Sequence, residues 1–97
     1  MRIIARKTLR MFWEQHHDAQ QTLQAWYHDV KRAEWQTPND IKTIYRNASL
    51  VGSNRIVFNI KGNKYRLVVA VSYQHQIVFI RFVGSHSEYN KIDASTI

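Results

Sequence analysis

Arg55-Ile-Val-Phe-Asn-Ile60, Tyr65-Arg-Leu-Val-Val-Ala-Val71 and Ile77-Val-Phe-Ile-Arg-Phe-Val83 decide the fold. Each run is rich in β-branched and aromatic residues and short enough for a strand. Gly62-Asn63 between the first two is a two-residue hairpin signal, and Gln74-His75 supplies a weaker turn between the second and third. A turn at Gly62-Asn63 sets Lys61 opposite Lys64, Ile60 opposite Tyr65, Asn59 opposite Arg66 and Phe58 opposite Leu67. A turn at Gln74-His75 sets Val71 opposite Val78, Val69 opposite Ile80 and Val68 opposite Arg81. Side chains alternate across a sheet. One face then carries Ile56, Phe58, Ile60, Tyr65, Leu67, Val69, Val71, Val78, Ile80 and Phe82, and must lie under helices. The other carries Arg55, Val57, Asn59, Arg66, Val68, Ala70, Ile77, Phe79, Arg81 and Val83, with Arg66 and Arg81 as diagonal neighbours.

Outward from this core the period changes. Ile3-Ile4 is a possible short strand. Leu9, Phe12 and Trp13 mark one face of a helix. Asp18 is placed to cap a second helix, with Gln21 at the reciprocal position, and Leu23, Trp26, Tyr27 and Val30 share that helix's apolar side. Thr37-Pro38-Asn39-Asp40 is a start signal for a short helix presenting Ile41, Ile44 and Tyr45. Ser85 to Ile92 reads as a last short helix, with Ser85 or Ser87 as cap and Glu88 in its first turn. The expected fold is α+β: an antiparallel sheet of about three to five strands with N-terminal helices on one face. The whole chain, 1–97, forms a single domain.

Composition narrows the function. The chain has no cysteine, which excludes disulfides, thiolate metal sites and thiol nucleophiles. No apolar run approaches a membrane span, and the start leads into no signal-peptide apolar region. The expectation is a soluble cytoplasmic protein. Net charge is +7. Every carboxylate lies at or before Asp40 or at or after Glu88, while Lys42, Arg46, Arg55, Lys61, Lys64, Arg66 and Arg81 stand between. One-signed charge over half a chain reads as the footprint of an anionic partner, although helix carboxylates folding over the strands would neutralise it equally.

The candidate chemistry sits at the end of the strands. Arg66 and Arg81 are either solvent-facing arginines or two planar guanidinium forks aimed at one phosphate. His86 follows the Arg81 strand and can exchange protons near neutrality, with Tyr89 three residues on; a lone histidine is also commonly a plain surface residue. His16, His17, His28 and His75 show no metal-ligand spacing, so no metal or cofactor is expected.

The stretch Phe58-Asn-Ile-Lys-Gly-Asn-Lys-Tyr-Arg66, with Ile80-Arg-Phe-Val-Gly-Ser-His-Ser-Glu-Tyr89, resembles the HigB family of type II toxins, within the RelE-like messenger-RNA interferases. The resemblance extends to Arg2–Leu9, Ala25-Trp-Tyr27 and Trp35-Gln-Thr-Pro38, nearly the whole chain. It implies a RelE-like fold and a metal-free endoribonuclease that cuts messenger RNA in the ribosomal A site, inhibiting translation. It also implies neutralisation by a cognate helix-turn-helix antitoxin, HigA-like. Asn90 stands where the family often has aspartate, and Ser85 replaces the usual threonine.

Metal-free cleavage uses the ribose 2′-OH as nucleophile and needs a base, cations for the phosphorane and an acid for the leaving oxygen. Arg66 and Arg81 suit the cationic role. His86 and Tyr89 are the proton carriers, with acid and base unassigned between them. Lys61, Lys64 and Lys91 are expected to hold RNA phosphates, and Asn59 to orient Arg66 or contact a base. Two other readings explain the charge as well: a non-catalytic RNA- or ribosome-binding domain, and a module for an acidic protein.

Overall fold

The computed structural model describes all residues, Met1–Ile97. Strand β1 (Arg2–Ile4) is followed by α1 (Arg6–Gln15), a 3-10 turn (His17–Ala19), α2 (Gln20–Arg32) and α3 (Pro38–Ile44). Then come β2 (Ser49–Val51), β3 (Arg55–Ile60), β4 (Tyr65–Ser72), β5 (Ile77–Ser85) and the single turn α4 (His86–Tyr89). The fold is α+β, with one five-stranded sheet in the order β1-β5-β4-β3-β2. The sheet is mixed, because β1 joins β5 in parallel while every other pair is antiparallel. No helix is long and apolar enough to cross a membrane.

The β3–β4 register agrees with the expected one: Asn59 faces Arg66, Phe58 faces Leu67 and Ile60 faces Tyr65. The turn itself differs. The left-handed residues are Lys61 (φ 55°) and Gly62 (φ 65°) rather than Gly62 and Asn63. Lys64 N–H donates to the Lys61 carbonyl at 3.2 Å, so Lys61 and Lys64 belong to the turn and not to the ladder.

The β4–β5 ladder starts as expected, with Val71 opposite Val78 and Val69 opposite Ile80. Then Val68 faces Phe82, not Arg81, and the register has slipped by one residue. Arg81 is the extra residue of a β-bulge. Beyond it every side chain changes face relative to the expectation. Phe82 joins Val57 and Val68 on the second face, and Val83 packs against the main core instead.

The main core lies where the apolar face demanded it. Leu9 and Trp13 of α1, Leu23, Trp26 and Val30 of α2, and Ile41 of α3 pack on Ile56, Phe58, Ile60, Leu67, Val69, Val71 and Val78. Full burial of each such side chain contributes about 1.5–3 kcal/mol. Ile44 departs from the expected apolar face of α3 and is 64% exposed. Pro38 occupies the first turn of α3, and the Asp40 carboxylate accepts from the backbone N–H groups of Gln36 (2.8 Å) and Thr37 (3.2 Å).

Asp18 does not cap α2. Ala19 holds that position without a side-chain bond. The Asp18 carboxylate instead accepts from Tyr65 Oη at 2.7 Å and Lys64 Nζ at 2.5 Å, tying the 3-10 turn to the start of β4. A long-range ionic partner outcompetes a local cap here, and no local pattern announces it.

The second face is only partly open. The segment after α4 crosses it, placing Ile92, Ala94 and Ile97 against Val51, Val57, Val68, Phe82 and Tyr89. Arg55 Nε donates to the Ile97 carbonyl at 2.7 Å.

Candidate active site

The site lies at the C-terminal end of β5, where the strand delivers α4 beside the β3–β4 hairpin. Arg66 and Gly84 are register partners. A Cβ on Gly84 would lie 2.6 Å from Phe82 Cζ, so the missing side chain leaves room for the Phe82 ring beside Arg66. Phe82 in turn packs on Tyr89, with centroids 6.5 Å apart. The Arg66 guanidinium carbon lies 5.8 Å from the Tyr89 ring centre, within cation–π range. One Arg66 terminal nitrogen donates to the Asn63 carbonyl at 3.2 Å, which aims the fork along the hairpin.

His86 is set by its backbone. Its N–H donates to the Lys64 carbonyl at 3.2 Å, extending the β4–β5 ladder by one pair into α4. Ser85 caps the turn: its Oγ accepts from Glu88 N–H at 3.1 Å, and Glu88 returns a carboxylate oxygen to Ser85 N–H at 2.8 Å. Those bonds from Ser85, with weaker help from His16 and Lys91, hold the Glu88 carboxyl below its ordinary value. The one carboxylate of α4 is therefore an anion held by the cap. Asn90, the departure from the family pattern, places its side-chain nitrogen 3.3 Å from His86 Nδ1. A neutral amide thus occupies the position where an aspartate would supply charge.

Arg66 and the Tyr89 ring are in contact, the His86 backbone joins the end of the same ladder with its ring beside Asn90, and Asn59 faces Arg66 across the strands. Arg81 is placed differently. The bulge puts it three strand residues from Gly84, about 10 Å along β5, and its guanidinium lies over Phe79 at 5.4 Å, toward the other end of the strand. The two arginines are not the diagonal neighbours that a regular ladder gives.

Lys61 is exposed at the hairpin tip and Lys91 is exposed just past α4. Lys64 is engaged: its ammonium is bound to Asp18, whose charge raises it above its ordinary value. The Asp18 carboxyl is lowered in turn by Lys64 first and Tyr65 second. No group of three or more His, Asp or Glu residues is close enough to hold a metal ion. Sequence reasoning missed the Asp18–Lys64–Tyr65 tie and the aromatic pair Phe82–Tyr89. The bulge that creates the pair leaves no periodic signal, though Gly84 beside Phe82 was a visible hint of close approach.

The chain is 22% identical over 72 residues to the mRNA interferase HigB of Escherichia coli O6:H1 (strain CFT073), a match covering 72% of this chain and 70% of the relative. Residues 19–92 match the family described as the RelE-like toxic component of a toxin-antitoxin system, a span that includes β2 to β5 and α4. The chain belongs to the HigB toxin family.

Proposed function

We propose that this toxin is a ribosome-dependent messenger-RNA endoribonuclease that uses no metal. The observation that carries the reading is the end of β5, where Arg66 lies over the Tyr89 ring and the backbone of His86 is bonded to Lys64 beside them, with the Glu88 carboxylate held in its own helix cap. Family membership and the name of the relative support RNA as the substrate. The Arg66 guanidinium stabilises the extra negative charge of the phosphorane. His86 and Tyr89 carry the two protons. One group removes the 2′-OH proton as the 2′-oxygen bonds to phosphorus; the other protonates the departing 5′-oxygen as that P–O bond breaks. The products are a 2′,3′-cyclic phosphate and a 5′-hydroxyl end. Arg81, displaced along β5, holds a phosphate one step from the cut, with Lys61 and Lys91 on the flanks. Binding in the ribosomal A site supplies the substrate alignment that so small a surface lacks. The protein acts in the cytoplasm, and a helix-turn-helix antitoxin blocks it.

Translation-coupled cleavage by purified variants tests this. Arg66→Ala lowers the cutting rate at least about 100-fold, the loss typical of one preorganised electrostatic donor. His86→Ala slows cutting while ribosome co-sedimentation persists. Wild-type protein that binds ribosomes but leaves messenger RNA intact would establish the rival reading, a non-catalytic RNA-binding domain.

A further inference from the structure

A groove of about 580 Å³ opens at the free edge of β3, between the α3–β2 loop and the hairpin tip. Strand β2 pairs with β3 only as far as Ser49 opposite Val57, so the edge from Phe58 to Ile60 has no neighbour. Hydrogen-bond phase then decides what that edge presents. Val71 N–H donates to the Asn54 carbonyl, which makes 54/71 a bonded pair. Bonded pairs alternate along an antiparallel ladder, so Ile56, Phe58 and Ile60 direct their peptide groups at β4. Asn59 directs its N–H and C=O outward, into the groove. Its side chain meanwhile faces Arg66 across a non-bonded pair, with Cα atoms about 4.5 Å apart. One residue therefore joins the groove to the candidate active site.

The walls are built for a polar, anionic visitor. Lys42 Nζ donates to the carbonyls of Arg46 (2.9 Å) and Ala48 (2.5 Å), fixing the loop that carries Arg46 and Asn47. Arg46, Asn47, Asn59 and Lys61 line the groove, and no carboxylate does. Exposed Ile44 gives it an apolar rim. A peptide strand fits poorly, because strand addition needs several alternate outward pairs. Here there is one, and the chain turns left-handed at Lys61. A nucleobase fits: the Asn59 peptide donor–acceptor pair and the Asn47 amide meet its edge, Ile44 meets its face, and the cations meet the flanking phosphates.

We infer that this groove is a nucleobase-binding subsite for the single-stranded RNA nucleotide adjoining the cleaved phosphodiester. The inference rests on the proposed nuclease reading, and its test separates the two. Short RNAs with a 2′-deoxy substitution at the cut, carrying a photoreactive uridine at successive positions, are crosslinked to the full chain. One position adjoining the cut is expected to crosslink within 44–48 or 58–62. In translation-coupled cleavage, Asn47→Ala and Arg46→Ala are expected to lower kcat/KM about tenfold, in the range set by losing one good base contact. Asn47→Ala should also flatten the nucleotide preference at that one position. Crosslinks confined to other segments, or variants with wild-type rate and preference, overturn the subsite and leave the nuclease reading standing. Failure of the wild type to cut any RNA ends the nuclease reading, and the crosslink map still decides the groove. Should a variant prove unfolded by circular dichroism, the wild-type crosslink map alone decides.

Discussion

Deleting Arg81 should be tolerated by the fold. The residue has no partner on β4: Ile80 faces Val69 and Phe82 faces Val68. Removing it closes the bulge into a regular ladder, and Ile80, Phe82, Val83 and Gly84 all keep the faces they already occupy. The loss is the exposed cation–π contact with Phe79, worth about 0.5–1 kcal/mol. The gain is an uninterrupted set of strand pairs. Net stability stays within about 1 kcal/mol, so the melting temperature moves by no more than about 8 °C. Deleting the preceding residue, Ile80, does the opposite. Arg81 then takes the place opposite Val69, on the face packed by helices. That change removes a half-buried isoleucine and sets a guanidinium against the core, costing at least about 2 kcal/mol and roughly 8–16 °C. Thermal melts by circular dichroism separate the two deletions. Equal destabilisation would show that Arg81 is not the bulged residue and would undo the face assignment of everything after it. Translation-coupled cleavage on the same proteins then asks what the bulge is for: the folded Arg81 deletion should cut as poorly as Arg81→Ala.

Three smaller perturbations follow from named contacts. Asn90→Asp places a carboxylate beside His86 Nδ1 and stabilises the imidazolium, so the His-dependent limb of the pH–rate profile moves to higher pH; an unmoved profile removes Asn90 from the site. The tie of Asp18 to Lys64 and Tyr65 contributes stability that is fully present above the ordinary carboxyl value of 3.8 and is lost as pH falls through the depressed one. For Lys64 the contribution is present below 10.5 and is lost as pH rises through the raised value. Asp18→Asn should therefore flatten the pH–stability curve at both edges, and a curve running parallel to the wild type's would refute the pairing. Tyr45 Oη is buried without a partner in good hydrogen-bond geometry, and burial, then the charge of Asp29 and a weak hydrogen bond to it, pushes the phenol up to about 12. Tyr45→Phe should gain up to about 1 kcal/mol, seen as a rise of a few degrees in melting temperature, and a lower melting point would mean the hydroxyl has a partner.

What was legible in the sequence was whatever local chemistry settles. A glycine-containing turn and two strands of clear alternation gave the β3–β4 register residue by residue, because a one-residue slip would have put Phe58, Ile60 and Leu67 in water. The cap of α4 was readable as Ser85 or Ser87 with Glu88 in the first turn; the fold selects Ser85, and Glu88 returns the bond. Features decided by distant partners were not. Asp18 had a plausible local task as a cap, and only the folded chain brings Lys64 and Tyr65 to it. The tail that covers Val57 and Val68 is too short and mixed to show a period. For the site, residue types were readable and their spacing was not: His86 and Tyr89 were placed only as following the Arg81 strand, and Arg81 itself was misplaced by one residue of bulge.

That misplacement bears on how such a small surface handles RNA. A regular ladder would set Arg66 and Arg81 on a diagonal, close enough for both guanidinium groups to meet one phosphate at the expense of mutual repulsion. The bulge separates them along β5 and gives the space beside Arg66 to Phe82, which fits there because residue 84 is glycine. Arg66 is then backed by the Tyr89 ring and tied to the Asn63 carbonyl, while Arg81 is exposed over Phe79. On the opposite side of the same strands, β2 stops one pair short and leaves the peptide of Asn59 facing outward. Two interruptions of regular pairing, an extra residue on β5 and a missing pair beside β3, flank Arg66. A continuous ladder offers only side chains at its face; these breaks set a tied cation, an exposed cation and a backbone edge along one path across the sheet. RNA running from Arg81 past Arg66 to the Asn59 edge would meet a phosphate contact, the reacting phosphate and a base contact in that order. A substrate crossing the sheet at right angles to that path would meet none of the three together, so the polarity of the crosslink map tests the path as a whole.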